Sequence, residues 1–280
     1  MDALTRRNLT AQLSKLSVAA AADLRGRILL DGPTRARAEA LHAAERVGDD
    51  FELWTDLLSR RAAVMWVLRS VYVRVLEDRG LLRTPRIVDE TSEQLFRKLA
   101  PDLGEAAYLR WIYRDLASDA TGLAELFTPT PAEVAEPSDA FARQLLAFWR
   151  AVDPDTGVRR WRFDHEDFDS RLLGDLYQDL DPVVKQRYAL LQTPDFVVDF
   201  LLDETLTPAI AAYGVDTVRL IDPACGSGHL LLAAYHRLFD GMKALHAGTM
   251  SDAVIARHVL RRVVGIDLND YACALARARL

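Results

Sequence analysis

The stretch Val218-Arg219-Leu220-Ile221-Asp222-Pro223-Ala224-Cys225-Gly226-Ser227-Gly228-His229-Leu230-Leu231-Leu232 decides the fold. Val218 to Ile221 is a β-branched and aliphatic run that reads as a short buried strand. Pro223 ends it, having no N–H to give to a ladder. Gly226 and Gly228 permit backbone angles closed to other residues and let a ligand come close to the main chain. A helix from His229 to about Leu245 is expected next, with its free N–H groups and positive dipole end aimed back at the turn. That arrangement suits a ligand with a carboxylate or other polar head group.

Three ligand classes use a strand, glycine turn and helix, and spacing separates them. A dinucleotide fingerprint wants a third small residue, but five residues after Gly226 stands Leu231, which argues against a pyrophosphate and a nicotinamide cofactor. A phosphate-binding P-loop closes on Gly-Lys-Ser/Thr, and the turn has no lysine. What remains is Asp-Pro-x-Cys-Gly-Ser-Gly-His-x-Leu, which resembles the first motif of S-adenosylmethionine-dependent amino-methyltransferases acting on DNA adenine. The bland alternative is a glycine turn with no ligand.

A second acidic anchor is expected and found. Arg262-Val263-Val264-Gly265-Ile266-Asp267-Leu268-Asn269 reads as a second parallel strand ending in a carboxylate. In a doubly wound fold, the acid at that tip accepts hydrogen bonds from a ribose. The interval from Asp222 exceeds the usual ~20 residues. An extra helix over about Ser251–Arg261, with Ser251 as its N-cap, fills the difference.

Outward from this core, composition sets limits. The chain has 280 residues, half of them hydrophobic, enough for a real core and room for two domains. No apolar run reaches membrane-spanning length, so no membrane association and a cytoplasmic location are expected. Cys225 and Cys273 are too few to staple a fold, and no Cys/His spacing suggests a metal site. The net charge of −6 suits a self-sufficient DNA binder poorly, because phosphate neutralisation dominates affinity for duplex.

Residues 1 to about 48 show helical spacing, with Leu4, Leu9, Leu13 and Leu16 on one face, and read as a solvated helical arm. Phe51–Arg79 is apolar on most sides yet interrupted by Arg60, Arg61, Arg69 and Arg74. It reads as a buried helix rather than a membrane span, ended at Gly80 by a left-handed cap. Helices over about Glu93–Leu99 and Glu105–Ser118 precede a proline-bearing linker, Phe127 to Pro137. A helix over Asp139–Arg150 follows. Arg159-Arg160-Trp161-Arg162 could touch a phosphate backbone, but the acidic run after it favours a local salt-bridged hairpin. Helices over Arg171–Leu180 and Pro182–Leu191 come next. Gln192-Thr193-Pro194 then opens another helix, with Thr193 as N-cap, Pro194 at its first position and Asp195 complementing the dipole.

Thr193-Pro194-x-x-Val197-Val198, the turn Asp222 to Gly228, and Gly265-Ile266-Asp267-Leu268-Asn269 are together similar to motifs X, I and II of N6-adenine DNA methyltransferases. The order resembles the gamma arrangement, with target recognition C-terminal. Val73 to Leu81, Leu173 to Leu180 and Arg187 to Pro194 are closer still to the methyltransferases of type 2 BREX (phage growth limitation) systems. The resemblance runs from about residue 51 onward. It implies that Asp222, Pro223, Ala224, Cys225, Gly226, Ser227 and Gly228 hold the methionine part of S-adenosylmethionine. Asp267 binds the ribose hydroxyls, Ile266 or Leu268 flanks the adenine, and Gln192, Thr193 and Pro194 close over the amino-acid end.

One departure matters. The family's catalytic motif is Asn/Asp-Pro-Pro-aromatic, which holds and stacks an extruded adenine. No Asn-Pro occurs here, and the Asp-Pro pairs at 153, 181 and 222 lack the second proline. The expectation is an α/β chain in three parts. Residues 1–126 form a helical region, 127–169 a linker with a connecting helix, and 170–280 the first part of a Rossmann-like methyltransferase domain, truncated after about two strands. It is expected to be the front of a longer enzyme, inactive alone, that meets double-stranded DNA through its missing C-terminal part and works with other defence-system proteins. The rivals are a methyltransferase of a non-DNA substrate and a non-catalytic helical scaffold or DNA-binding subunit.

Overall fold

The computed structural model describes residues 3–118, 123–165, 171–187 and 193–280. It divides into two compact units, the first Met1–Asp119 with Phe127–Ala189, the second Ala120–Leu126 with Leu190–Leu280. None of the described helices is long and apolar enough to cross a membrane.

The first unit opens with three helices, α1 (Ala3–Leu30), α2 (Gly32–Glu45) and α3 (Phe51–Asp78). Leu9, Leu13, Leu16, Ala20, Leu24 and Ile28 recur three or four apart on α1 and are all buried, a continuous apolar stripe. The stripe lies along α3, so the first helix is no solvated arm. The physical reason is on α3, where every residue from Ala62 to Leu76 is buried. A helix apolar on all sides has to be covered on all sides. Asp50 caps α3 by accepting the Leu53 N–H at 2.8 Å, and Gly80 follows it at φ +67°.

Two arginines inside α3 are satisfied by carboxylates. Arg69 donates to Glu133 at 2.8 Å and to the Thr128 carbonyl at 2.7 Å. Arg74 pairs with Glu77 at 2.6 Å and Asp78 at 2.7 Å. Charges this buried persist only when paired and hydrogen-bonded.

Further helices follow in chain order: α4 (Thr91–Leu99), α5 (Glu105–Ala117), α6 (Ala124–Phe127), α7 (Asp139–Arg150), α8 (Arg171–Asp179) and α9 (Pro182–Arg187), of which α6 falls in the second unit up to Leu126. Residues Val152 and Arg159 form an antiparallel bridge, and Arg162 pairs with Asp164. The basic cluster is thus part of a salt-bridged hairpin. The first unit runs to Ala189 and includes α8 and α9. α8 buries Leu172, Leu173, Leu176 and Tyr177 within the first unit. Asp181, its side chain inaccessible, accepts the Val183 and Val184 N–H groups and pairs with Arg60 at 3.0 Å.

The second unit holds α10 (Asp195–Glu204), α11 (Leu206–Tyr213), β1 (Leu220–Asp222), α12 (His229–Leu245), α13 (Asp252–Leu260), β2 (Val263–Gly265) and α14 (Asp270–Arg279). β1 and β2 pair in parallel, Leu220 opposite Val263, Ile221 opposite Val264 and Asp222 opposite Gly265. Parallel neighbours need a long crossover, which α12 and α13 provide. Leu231, Ala234, Leu238 and Met242 of α12 form the centre of the core, with Val198, Leu202, Val218, Ile255, Val259 and Val263 around them. The other sheet face differs: Ile221 is 62% and Val264 39% exposed.

Candidate functional site

The site is built where the two strands release the chain. Leaving β1, the Asp222 carboxylate accepts the Ala224 N–H at 3.1 Å and starts the turn. Gly226 and Gly228 have φ of +51° and +80°, the left-handed region that glycine alone enters without strain. The Gly228 N–H closes the turn on the Cys225 carbonyl at 2.8 Å. α12 then begins with no side-chain cap, so the turn meets bare first-turn N–H groups.

The loop after β2 is joined to this turn by backbone and side chain alike. Ile266 N–H donates to the Asp222 carbonyl and Cys225 N–H to the Ile266 carbonyl, both at 2.9 Å. Asp267 Oδ2 accepts the Gly226 N–H at 2.8 Å, and Oδ1 accepts the Asn269 N–H at 2.9 Å. Asn269 in turn caps α14, accepting from Tyr271 and Ala272. Asp267 therefore has a fixed place between the loops. A carboxylate offers about four acceptor sites, so it keeps capacity for hydroxyl donors.

Two contacts stiffen the turn from a distance. Arg279, buried on α14, donates to the Ser227 carbonyl at 2.8 Å. His229 Nε2 meets Asp195 Oδ1 at 2.8 Å, which ties the start of α10 to the start of α12. Neither was foreseen. Asp195 carried a helix-dipole signal, and His229 stood within the quoted motif, but no spacing links residues this far apart in sequence.

Each expected residue can now be placed. Asp222, Pro223, Ala224, Cys225, Gly226, Ser227 and Gly228 form one turn, and Asp267 with Leu268 stands beside it through the bonds above. Pro223 and Ala224 are exposed, Ser227 and Gly228 are buried. Leu268 is fully exposed and Ile266 is 52% exposed, unusual for apolar residues in a loop otherwise held this firmly. Gln192 lies outside the described residues. Thr193 and Pro194 precede α10, which starts at Asp195. Thr193 is not its N-cap; Pro194 holds that position with no side-chain cap bond. The Pro194 carbonyl instead accepts the Val197 and Val198 N–H groups at 2.9 and 3.1 Å.

Electrostatically the rim is acidic. Asp195, Asp222 and Asp267 surround the turn, and no cationic side chain is bonded to Asp222 or Asp267 among the described residues. Burial, followed by the Cys273 thiol and the Asp222 and Asp267 carboxylates, pushes the Cys225 thiol up to about 12. A thiol so placed stays protonated near neutral pH and serves packing, not nucleophilic attack.

Comparison with known proteins follows the same lines. Over 99% of its length the chain is 33% identical to the adenine-specific methyltransferase PglX of Streptomyces coelicolor, covering 24% of that protein. A stretch of 70 residues is 31% identical to a Methanocaldococcus jannaschii protein whose given name reads type II restriction enzyme and methyltransferase, 6% of which it covers. The chain thus spans about a quarter or less of the curated relatives it matches. No family model matches it, and no solved structure does.

Proposed function

We propose, from this chain's kinship with adenine-specific methyltransferases, that it carries the S-adenosylmethionine-binding part of an enzyme that methylates adenine N6 in DNA. The single observation behind this reading is the joining of the two loops through Asp267 and the Gly226 N–H. A ligand held by both loops has the ribose on one and the amino-acid end on the other.

The residues fit such a ligand. A Cβ added at Gly226 would meet nothing within 4 Å, so the turn presents open main chain. Exposed Leu268 and Ile266 offer apolar cover for an adenine ring beside Asp267. The acidic rim suits a sulfonium cation, which a site for pyrophosphate would repel.

Bound there, S-adenosylmethionine supplies a methyl group activated by the positive sulfur. This chain's own part is to hold and orient. The Asp222–Gly228 turn seats the methionine portion, with Gln192, Thr193 and Pro194 at its amino-acid end. Asp267 accepts from the ribose hydroxyls and so fixes the direction in which the methyl points. Restricting donor and acceptor to an in-line geometry is worth several kcal/mol of barrier, roughly 7–11 in well-oriented cases.

Within these 280 residues no Asn/Asp-Pro-Pro-aromatic sequence occurs. The groups that hold the adenine come from outside them, and the chain alone binds cofactor without methylating DNA. Exposed Ile221 and Val264, paired in register, are the seat for the rest of the domain, since parallel sheets are covered on both faces. Phage defence is the setting proposed for the whole enzyme, with double-stranded DNA as its target.

Isothermal titration with S-adenosylmethionine, and with NADH for comparison, tests the reading. Heat from the first and none from the second is the expected result. No heat from S-adenosylmethionine, or tighter binding of NADH, overturns it, the former outcome favouring a scaffold.

A further inference from the structure

Two polar rungs join α10 to α12, eight residues apart on each helix. Asp203 pairs with Arg237 at 2.6 Å, and Asp195 meets His229 at 2.8 Å. Between them in sequence, Val198 and Leu202 of α10 enter the same core as Ala234 and Leu238 of α12. That apolar contact and the Arg237 rung, which also reaches the Thr207 hydroxyl at 2.8 Å, are enough to lay one helix along the other. The Asp195 rung adds little to this. Its carboxylate is 64% exposed, and exposed pairs contribute little to stability.

Placement sets this rung apart. His229 follows Gly228, the last residue of the glycine turn, and Asp195 follows Thr193 and Pro194. Across 34 residues of chain, the bond brings the first residue of α10 to the first residue of α12. An exposed carboxylate is thereby held beside the turn, on a different segment from the Asp267 loop.

The bond also has a direction. A carboxylate oxygen facing an imidazole accepts, so His229 Nε2 donates to Asp195 Oδ1. The histidine side chain is only 12% exposed, whereas its acceptor is open to solvent. A covered donor thus fixes the stance of an accessible acid, and a carboxylate has about four acceptor sites to offer.

We infer that Asp195 accepts the α-ammonium group at the methionine end of the ligand, and that His229 is the positioning residue that holds it there. The inference rests on the S-adenosylmethionine reading given above. Asp267 serves the ribose, which every adenosine compound carries. An ammonium carries three N–H donors and a full positive charge, and an acid beside the turn answers both. Asp195 therefore makes the site selective for a nucleoside that bears an amino acid over one that does not.

Calorimetric titration of the whole 280-residue chain with two probes tests this. S-adenosylhomocysteine has the adenosine and the amino-acid end; 5′-methylthioadenosine has the adenosine and sulfur alone. The wild type is expected to bind both, the former more tightly. Asp195→Ala should weaken S-adenosylhomocysteine roughly 10- to 100-fold, the worth of a charge-assisted hydrogen bond, and leave 5′-methylthioadenosine unchanged. Asp195→Asn keeps an acceptor for His229 but not the charge, and should weaken S-adenosylhomocysteine about fivefold or more. His229→Ala should lose affinity for S-adenosylhomocysteine only. His229→Gln, whose amide nitrogen takes the place of Nε2, should recover part of that loss. Asp267→Ala should weaken both probes. The inference is overturned if Asp195→Ala weakens both probes alike, if Asp195→Asn binds S-adenosylhomocysteine as the wild type does, or if His229→Ala has no effect. A wild type that binds neither probe defeats the cofactor reading itself, and the inference with it.

Discussion

The backbone N–H of Gly226 donates to Asp267 Oδ2 at 2.8 Å, across 41 residues of chain. This carboxylate adds a side-chain link to the backbone bonds that join the two loops and still has acceptor capacity for a ligand. Replacing it by alanine removes the side-chain link and the acceptor together. Asp267→Ala is expected to weaken S-adenosylmethionine binding by roughly 10- to 100-fold, the worth of a charge-assisted hydrogen bond. Asp267→Asn, which retains an acceptor oxygen, should lose less. Calorimetric titration of the two variants checks the order.

The two glycines of the turn should respond differently to alanine. At Gly228 a Cβ would lie 2.7 Å from the Ala276 Cβ and 3.1 Å from its Cα, with φ at +80°. At Gly226 the space is open and only the backbone angle objects. Left-handed backbone costs about 1–2 kcal/mol for a residue with a side chain, and overpacking adds about 1–3. Urea unfolding should show Gly228→Ala as the more destabilised protein by at least about 1 kcal/mol.

The first helix is part of the core, and its leucines should behave as core. Leu13 is wholly buried. Leu13→Ala is expected to cost about 2–5 kcal/mol of stability in denaturant unfolding. A detached helical arm would show no change.

Acid sensitivity has a local source in the first unit. A side-chain bond from Arg143 is the largest of several effects that lower Glu105 from 4.5 to about 2. Because the folded value is the depressed one, the stabilisation is present above about 4.5 and disappears as pH falls toward 2. Melting temperatures measured from pH 6 to 2 should fall more steeply for the wild type than for Glu105→Gln in that window.

Much of the second unit could be read directly, because its punctuation is chemical. Pro223, Gly226 and Gly228 place the end of β1 and the start of α12, and His229–Leu245 is a helix over the span expected. Asp267 follows β2 in the loop where the valine run Val263-Val264 placed the end of a strand. The misreadings concern partners, not elements. Leu9, Leu13 and Leu16 announce an apolar face, but nothing in their spacing says that α3 covers it. Nor does the sequence join Asp181 to Arg60, the contact that helps hold α9 in the first unit. Arg279 on Ser227 and Asp195 on His229 are likewise long-range, and periodicity carries no signal for them.

The central claim is that two loops hold one ligand. Amide spectra of the ¹⁵N-labelled chain, recorded during titration with S-adenosylhomocysteine, test it most directly. The account predicts that Gly226, Ser227, Gly228 and Asn269 shift together along a single saturation curve. Shifts confined to one loop, or none in either at saturating ligand, would contradict it.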